Sequence, residues 1–249
     1  MDTIKYLNRI GYTGSLEPTL ETLSSLQESH LFSIPFENLD IHNNVKIDLD
    51  NSFDKVVSRN RGGFCYELNG LFYGLLKELG YNVKIVSARV IQEDKGFGAE
   101  FDHMVIIASI DNQQYLVDVG FGEFAYSPLN IILDKEISDT RSVFKIEKYD
   151  DVYKIVKQKS EDGSFVPKYI YSDVERVLDD FKAMCIFHQT SNDSHFTQNR
   201  ICSLPIKDGR ITLSGNTLIT TSKGKVESRE LTSEEEIKNV LKEYFKIQL

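Results

Sequence analysis

One cysteine, one histidine and one aspartate have the residue types of a nucleophile, its base and an orienting acid. Cys65 lies in the stretch RGGFCYELNG (61–70), directly after a glycine pair. His103 and Asp118 lie in two later apolar segments, FDHMVIIASI (101–110) and QQYLVDVGFG (113–122). A thiol becomes a catalytic nucleophile when a base lies within hydrogen-bond reach and a third group orients that base. The three residues are therefore candidates for nucleophilic catalysis by a cysteine.

Cys65 begins a predicted helix. The apolar residues after it recur at steps of three and four, the pattern of a helix packed on a core, and they are Leu68, Leu71, Phe72, Leu75, Leu76 and Leu79. Counting back three residues from Leu68 gives Cys65, so we expect the thiol in the first turn, pointing inward, where free backbone N–H groups favour a thiolate. Gly62 and Gly63 permit a close approach of the preceding backbone, and Gly80 ends the helix. The alternative interpretation is a small buried core cysteine without chemistry.

His103 and Asp118 meet only if their two segments form a hairpin in one register. The dipeptide 111–112, Asp-Asn, suits a two-residue loop, which pairs residues whose numbers sum to 223. His103 then faces Gly120, which leaves space for the ring, and Asp118 lies one diagonal step away on the same face. A three-residue loop would place His103 and Asp118 on opposite faces. A structural hydrogen bond of Asp118, unrelated to chemistry, is the alternative.

Composition excludes several classes of protein. The 249 residues carry a net charge of −9 without a basic cluster, which argues against a general nucleic-acid binder. The three cysteines are widely spaced and form no C-x-x-C pair, so a disulfide framework or a structural zinc site is not expected. Neither a signal peptide nor an apolar run of spanning length is present. We therefore expect a metal-free protein of the reducing cytoplasm.

The elements around these residues predict an α+β fold. Residues 1 to about 80 carry helical periodicity. From Tyr81 the period changes to two, and short strands separated by charged or glycine turns indicate a mainly antiparallel sheet or barrel; the predicted strands cover 83–90, 104–110, 115–119, 144–148, 152–156 and 167–171. The rest combines irregular chain, two strands at 210–213 and 217–221, and a last helix that begins at Thr232 or Ser233 with a capping box.

Four motifs in order resemble those of the arylamine N-acetyltransferase family, in its bacterial type. They are IPFENLD (34–40), RGGFCYELN (61–69), DHMVI (102–106) and VDVGFG (117–122). The similarity continues in SHFTQNRICSLPIKDGRITLSG (194–215) and EEEIKNVLKEYFKI (234–247), so it covers nearly the whole chain. The candidate triad lies inside three of these motifs.

The resemblance implies a fold and a reaction. The fold is a papain-like, cysteine-proteinase-type α+β fold with a helical bundle over 1–80, a central antiparallel β-barrel over 81–185 and an α/β lid over 186–249. The reaction is ping-pong transfer of acetyl from acetyl-CoA to an arylamine, arylhydrazine or N-arylhydroxylamine. No metal is implied, and the partners are small aromatic substrates and the coenzyme A thioester.

The resemblance also assigns roles to residues. Cys65 is the nucleophile, His103 its base and Asp118 the orienting acid, with Cys65 and His103 expected as a thiolate–imidazolium couple. It places Phe36, Phe121 and Phe64 at the substrate pocket, where aromatic walls suit a flat aryl ring.

Further motif residues are interpreted as supports of the site. An ion pair between Arg61 and Glu37 would hold the 34–40 loop against the cysteine turn, and Asn69 would bind neighbouring backbone. Glu123 would place an acid near the pocket mouth and disfavour anionic acceptors. The motifs assign no residue to the coenzyme A moiety.

Three other functions fit parts of the same pattern. The triad could serve intramolecular amide formation that releases a polyketide macrolactam from a carrier. It could also serve a cysteine hydrolase if water reached the thioester. A non-catalytic binding protein that kept the fold is disfavoured because all three triad residues are present.

Overall fold

The computed structural model describes residues 1–92 and 96–249. Its helices are α1 (Thr3–Arg9), α2 (Leu20–Ser33), α3 (Leu39–His42), α4 (Cys65–Glu78), α5 (Lys182–Thr190), α6 (His195–Gln198) and α7 (Glu234–Phe245). Short turns of 3-10 or π-helix lie at Leu49–Asn51, Asp54–Ser58 and Leu178–Phe181. The strands are β1 (Phe36–Glu37), β2 (Asn82–Gln92), β3 (Gly96–Phe97), β4 (His103–Ile110), β5 (Gln113–Val117), β6 (Leu129–Asn130), β7 (Glu136–Ser138), β8 (Val143–Lys148), β9 (Tyr153–Lys159), β10 (Phe165–Arg176), β11 (Ile201–Ile206), β12 (Gly209–Ser214), β13 (Thr217–Ser222) and β14 (Lys225–Glu230).

The N-terminal helices pack around α4, the helix that Cys65 begins. The leucine stripe of α4 is buried in one core cluster with residues of α1 and α2. Gly80 has φ +86°, so it ends the helix in the left-handed conformation that the sequence predicted. The Cys65 side chain points into this core and is 3% exposed. Its predicted position in the first turn, facing inward, is confirmed.

The central part of the chain forms an antiparallel sheet that nearly closes on itself. Its strands follow the order β6-β5-β4-β2-β10-β9-β8-β7, and β3 pairs with β2. Beyond β6, Leu133 bridges to Ile146 in β8, which brings the two ends of the sheet together. The inner face holds a second apolar cluster, to which Phe144, Tyr169 and Tyr171 contribute large side chains. The predicted α+β fold with an antiparallel barrel is confirmed.

The hairpin between β4 and β5 has the predicted register. Ile106 pairs with Val117 and Ile110 with Gln113, so the paired numbers sum to 223. The two loop residues at 111–112 both have positive φ, as a two-residue hairpin turn requires.

A five-stranded sheet in the order β1-β11-β12-β13-β14 holds the C-terminal part, and α7 packs on it. Ser233 caps α7 by accepting from the backbone N–H of Glu236. The first strand of this sheet, β1, comes from the N-terminal region, and Phe36 pairs with Ser203. Strand pairing therefore crosses the expected boundary at residue 80, and the division into three units stays a prediction.

Three strands of that sheet were missed by the sequence analysis: β1, which was expected to be a loop, β11 and β14. β11 contains Pro205, a residue that normally argues against an interior strand. Pro205 lies beyond the end of β1, which pairs only with Cys202 and Ser203, so β1 requires no N–H from Pro205. All residues of β14 are exposed, so this edge strand has no apolar alternation. Within 1–92 and 96–249, no helix has the length and apolar character needed to cross a membrane.

Candidate active site

The glycine pair before Cys65 lets two backbone segments touch. A Cβ on Gly62 would lie 2.1 Å from the carbonyl oxygen of Pro35, and one on Gly63 would lie 2.8 Å from Cβ of Glu67. Phe36 forms a parallel bridge with Gly63 at the same place. The 34–40 loop is thus held directly against the turn that presents the thiol.

A buried ion network lies beneath this turn. Arg61 Nη2 lies 2.8 Å from Glu37 Oε1, as predicted, and 2.9 Å from Asp40 Oδ1. Lys55 Nζ lies 3.0 Å from both Asp40 Oδ2 and Glu67 Oε1. Burial opposes ionisation of Asp40, but Lys55 and Arg61 outweigh it and hold the pKa of this carboxyl below its usual value. Burial raises the pKa of Glu67 to about 7, although Lys55 opposes the rise.

Glu67 joins this network to the cysteine turn. Its Oε2 accepts a hydrogen bond of 3.2 Å from the backbone N–H of Phe64, the residue just before Cys65. The network therefore fixes the backbone that carries the thiol.

His103 and Asp118 are bonded to each other in the core. The distance from His103 Nε2 to Asp118 Oδ2 is 2.7 Å, and their side chains are 3% and 0% exposed. Asn69, one turn after Cys65 in α4, donates to Asp118 Oδ1 at 2.9 Å and to the carbonyl oxygen of Met104 at 2.7 Å. Its own oxygen accepts from the backbone N–H of Val119. Asn69 thus ties the helix of the thiol to both strands of the hairpin, which supports its predicted backbone-binding role.

Gly120 lies against the start of α4, a contact that the sequence analysis did not predict. A Cβ at this position would lie 2.7 Å from Cα of Cys65 and 2.7 Å from Nδ2 of Asn69. The missing side chain therefore makes room for the start of α4. Because this contact joins distant segments, the hairpin register alone did not reveal it.

Cys65 and His103 line one cavity of about 690 Å³. Asp118 lies behind His103 and is not among its lining residues in the described part of the chain. The wall is formed by Phe36, Cys65, Val90, Ile91, Gln92, Asp102, His103, Gly120, Phe121, Asp193, His195, Phe196, Gln198, Asn199, Arg200, Ile201 and Ser214. The C-terminal segment 193–201, which the resemblance placed in the lid, supplies much of this wall, although the sequence analysis named none of its residues as site residues.

The three phenylalanines that were expected at the substrate pocket lie in two different environments. Phe36 and Phe121 line the cavity, and the ring of Phe121 stands edge-on to His103 at 5.4 Å between centroids. Phe64 is 0% exposed and, among the described residues, is not part of the wall. Its ring packs edge-on against Tyr66 and Phe196. Phe64 is therefore a core residue beneath the site, whereas Cys65, in the same core cluster, also reaches the cavity wall.

The surroundings of Cys65 oppose its ionisation. Burial raises the pKa of the thiol well above its usual range, and the negative charge of Asp102 adds to this effect. The backbone N–H of Met104 acts in the opposite direction and does not compensate. Burial and the charge of Asp102 therefore both oppose the thiolate form that the sequence analysis expected. The sequence analysis did not name Asp102 as a residue of the site, although this acidic residue directly precedes His103 in the sequence.

The negative charge of Glu123, which was expected near the mouth of the pocket, is paired with a positive charge. Its carboxylate is largely exposed and forms an ion pair with Arg141. The expected bias against anionic acceptors therefore loses its basis.

This chain is similar to known proteins along its whole length. A family model described as N-acetyltransferase matches residues 19–249. Arylamine N-acetyltransferase, pineal gland isozyme NAT-3, of Gallus gallus is 33% identical over 278 residues, covering 100% of this chain and 95% of the relative. Arylamine N-acetyltransferase 1 of Homo sapiens is 32% identical over 277 residues, with coverage of 100% and 95%.

Solved bacterial structures share the fold over the full length. The arylamine N-acetyltransferase of M. tuberculosis superposes with a TM-score of 0.92 at 31% identity, covering 99% of this chain and 94% of that one. The Mycobacterium marinum enzyme in complex with CoA gives a TM-score of 0.90 at 30% identity, covering 99% and 93%. With a family match over most of the chain and relatives above 30% identity along all of it, the chain belongs to the arylamine N-acetyltransferase family.

Proposed function

We propose that this protein transfers an acetyl group from acetyl-CoA to arylamines, arylhydrazines or N-arylhydroxylamines through an acetyl-thioester on Cys65. The observation that carries the proposal is the shared cavity wall of Cys65 and His103, with Asp118 bonded to the far side of the imidazole. The names of the relatives, one of them solved with CoA, support the donor and the acceptor class.

In the first half-reaction, His103 acts through Nδ1, because Asp118 occupies Nε2. Nδ1 takes the proton of the Cys65 thiol while the sulfur attacks the acetyl carbonyl carbon. The backbone N–H groups at the start of α4 are the donors for the developing oxyanion, since the first N–H groups of a helix have no intrahelical acceptor. The intermediate collapses by breaking the carbon–sulfur bond to coenzyme A, and the departing thiolate takes the proton from His103.

In the second half-reaction, the amine nitrogen attacks the thioester carbon. His103 accepts the proton that this nitrogen loses, and the bond between carbon and the Cys65 sulfur breaks. The proton on His103 then returns to the thiolate, which restores the free enzyme. Aromatic amines suit this step because they are weakly basic and stay unprotonated at neutral pH.

Phe36 and Phe121 form the wall that binds the aryl ring. The Cys65 turn belongs to a helical unit over 1–80, His103 and Asp118 to a barrel unit over 81–185, and the segment 193–201 to an α/β lid over 186–249. All three cysteines are free, which fits a reducing cytoplasm. The net charge of −9 fits small-molecule partners in place of nucleic acid.

Intact-protein mass spectrometry tests the proposal. Incubation with acetyl-CoA alone should add one acetyl group that maps to Cys65, and an aminosalicylate should remove it and yield the N-acetyl product. Cys65→Ala should gain no adduct, whereas Cys202→Ala, a matched free buried cysteine, should gain it.

Two results would replace the proposal. Loss of the adduct to water without amine would indicate a cysteine hydrolase. A reactive Cys65 that takes no acyl group from acetyl-CoA or other acyl-CoA thioesters would indicate an amide synthase that acts on carrier-bound chains.

A further inference from the structure

A histidine of α5 lies against the acidic residue that precedes His103. The side chain of His188 is 4% exposed, and its Nε2 lies 3.2 Å from Oδ1 of Asp102, whose side chain is 12% exposed. In the described part of the chain, this nitrogen is buried and makes no hydrogen bond of good geometry. The contact is therefore one of charge, in which a proton on Nε2 would lie beside the carboxylate of Asp102.

The carboxylate of Asp102 is held from its other side by β2 and the chain after β3. Its Oδ2 accepts a hydrogen bond of 3.3 Å from the backbone N–H of Val90. A Cβ on Gly98 would lie 2.3 Å from the same oxygen, so the missing side chain of Gly98 makes room for the carboxylate. These contacts leave Oδ1 facing His188.

Ser194 and two aromatic rings fix the imidazole of His188. Its Nδ1 lies 3.1 Å from Oγ of Ser194, which also accepts from the backbone N–H of Phe196. The imidazole stacks on Tyr66 at 6.2 Å between centroids and stands edge-on to Phe196 at 5.2 Å. Because a hydroxyl can donate to Nδ1 or accept from it, Ser194 suits both the neutral and the protonated ring.

Asp102 connects this histidine to the proposed nucleophile. Asp102 lines the active-site cavity with Cys65, whereas His188 lines a second cavity of about 460 Å³ that shares Asp102 with the first. The hydroxyl of Tyr66, the residue after Cys65, donates to the carbonyl oxygen of Asp102 at 3.2 Å. Because the charge of Asp102 opposes ionisation of the thiol, a group that offsets this charge favours it.

Other titratable or charged side chains face His188 less directly. Arg89, Asp193 and His195 line the second cavity with it. Asp193 and His195 are exposed, so solvent screens their charges, and Nε of Arg89 donates to a backbone carbonyl oxygen at 2.7 Å. Burial raises the pKa of Tyr66 well above its usual value, so this phenol stays neutral. Among the described residues, the one ion-pair partner of His188 is the carboxylate that precedes His103.

We propose that His188 is a positioning residue that acts through Asp102, partly offsetting its negative charge and so favouring the thiolate form of Cys65. In its protonated form the imidazole pairs with the carboxylate. When the pH rises and the ring loses its proton, the charge of Asp102 faces the thiol without this partner. The inference rests on Cys65 being the nucleophile of the proposed function.

The pH profile of Cys65 alkylation by iodoacetamide, followed by peptide mass mapping, tests this role. The proteins are the wild type, His188→Gln, Asp102→Asn and the double variant. We expect His188→Gln to move the profile to higher pH, with about 3–10-fold slower alkylation at pH 7. In the Asp102→Asn background it should have no effect, because the carboxylate that the imidazole offsets is absent. Alkylation needs no acetyl-CoA, so a failure of the proposed acetyl transfer would not affect this test.

Ser194→Ala is a second, milder variant. It leaves Nδ1 of a protonated His188 without an acceptor, and an unsatisfied buried N–H costs more free energy in a charged ring than an unsatisfied nitrogen in a neutral one. The profile should again move to higher pH, and only when Asp102 is present.

His42→Gln is the matched control. Nε2 of His42 lies 3.0 Å from the carbonyl oxygen of Phe196, in the same segment as Ser194, but in the described part of the chain His42 has no ion-pair partner. Its alkylation profile should match that of the wild type.

Two outcomes would overturn the proposal. One is a shift of equal size with and without Asp102, which would indicate a purely structural role of His188. The other is a profile of His188→Gln that coincides with that of His42→Gln. If His188→Gln does not fold, Ser194→Ala decides by the same two comparisons.

Discussion

At the scale of single residues, Asp118 decides which nitrogen of His103 is available. Its bond to Nε2 favours the tautomer in which that nitrogen carries the proton and Nδ1 is free to accept one. Asn69 and the backbone N–H of Gly120 hold the other oxygen of Asp118. His103, the proposed base, is therefore oriented through Asp118 by α4 and by the chain after β5 together.

Asp118→Asn should keep the fold and lose most of the activity. An asparagine oxygen cannot stabilise the imidazolium that forms when His103 takes the thiol proton, so we expect acetylation of Cys65 to slow about 10²–10⁴-fold. Single-turnover mass spectrometry with acetyl-CoA measures this rate. The control is Asp111→Asn, at the exposed hairpin turn. A rate within twofold of the wild type would remove Asp118 from the mechanism.

Asp102→Asn should make Cys65 easier to ionise. The negative charge of Asp102 raises the pKa of the thiol, so its removal lowers that pKa and increases the thiolate fraction at any pH below it. The pH profile of iodoacetamide alkylation should move to lower pH, with faster alkylation at pH 7. Asp193→Asn serves as control because Asp193 lines the same cavity. Equal profiles for the two variants would contradict the assigned effect of Asp102.

At the scale of elements, contacts between backbone segments position the proposed triad. Gly62, Gly63 and Gly120 each allow an approach that a methyl group would prevent. These approaches bring the 34–40 loop to the turn before Cys65, and the end of β5 to the start of α4.

Gly120→Ala should disrupt the site, while Gly74→Ala should not. The new methyl group at 120 meets Cα of Cys65 and Nδ2 of Asn69, both at 2.7 Å and both held in the core. We expect a loss of about 1–3 kcal/mol in the free energy of unfolding, together with slower acetylation of Cys65. At 74 the methyl group meets only the terminal methyl of Met1, and alanine favours the helix by up to about 1 kcal/mol. Urea denaturation and the rate of Cys65 acetylation are measured for both variants. Equal stability and equal rates in Gly120→Ala and Gly74→Ala would contradict the role assigned to the close contacts of Gly120.

At the scale of the whole molecule, β1 belongs to two parts of the fold. Its residues follow α2 in the chain, pair with β11 of the C-terminal sheet, and through Glu37 enter the buried ion network under Cys65. Asn38 extends this link because it donates to the carbonyl oxygens of Phe196 and Asn199. The segment that completes the cavity wall is thereby tied to the loop beside the thiol.

The buried network makes stability depend on pH. The pKa of Glu67 rises from 4.5 to about 7 on folding, so the folded chain holds a proton that the unfolded chain has lost between these values. The contribution of this proton to the free energy of unfolding is fully present below pH 4.5 and is lost as the pH rises through about 7. Relative to Glu67→Gln, the wild type should lose on the order of 2–3 kcal/mol between pH 5 and 8.

Urea denaturation of both proteins at several pH values measures this difference. The absolute stability of Glu67→Gln is lower because Lys55 loses a partner, so the change with pH is the relevant quantity. Glu28→Gln, at an exposed position in α2, should follow the wild type at every pH. If the free energies of unfolding of the wild type and Glu67→Gln changed in parallel with pH, Glu67 would not titrate in this range.

Local patterns in the sequence determined the parts of the site that depend on neighbouring residues. The leucine spacing placed Cys65 in the first turn of α4, and Asp-Asn at 111–112 set the register that puts His103 and Asp118 on one face. These predictions held because helical periodicity and turn chemistry act over a few residues. The order of four motifs then indicated the family.

Only the tertiary structure decided the features built from distant segments. The burial of Phe64, the contact of Gly120 with Cys65 and the charge of Asp102 beside the thiol arise between residues that no sequence period relates. The same holds for the sheet that joins β1 to β11 across more than half of the chain. Such contacts depend on how whole elements pack, and packing is decided by shape and burial in three dimensions.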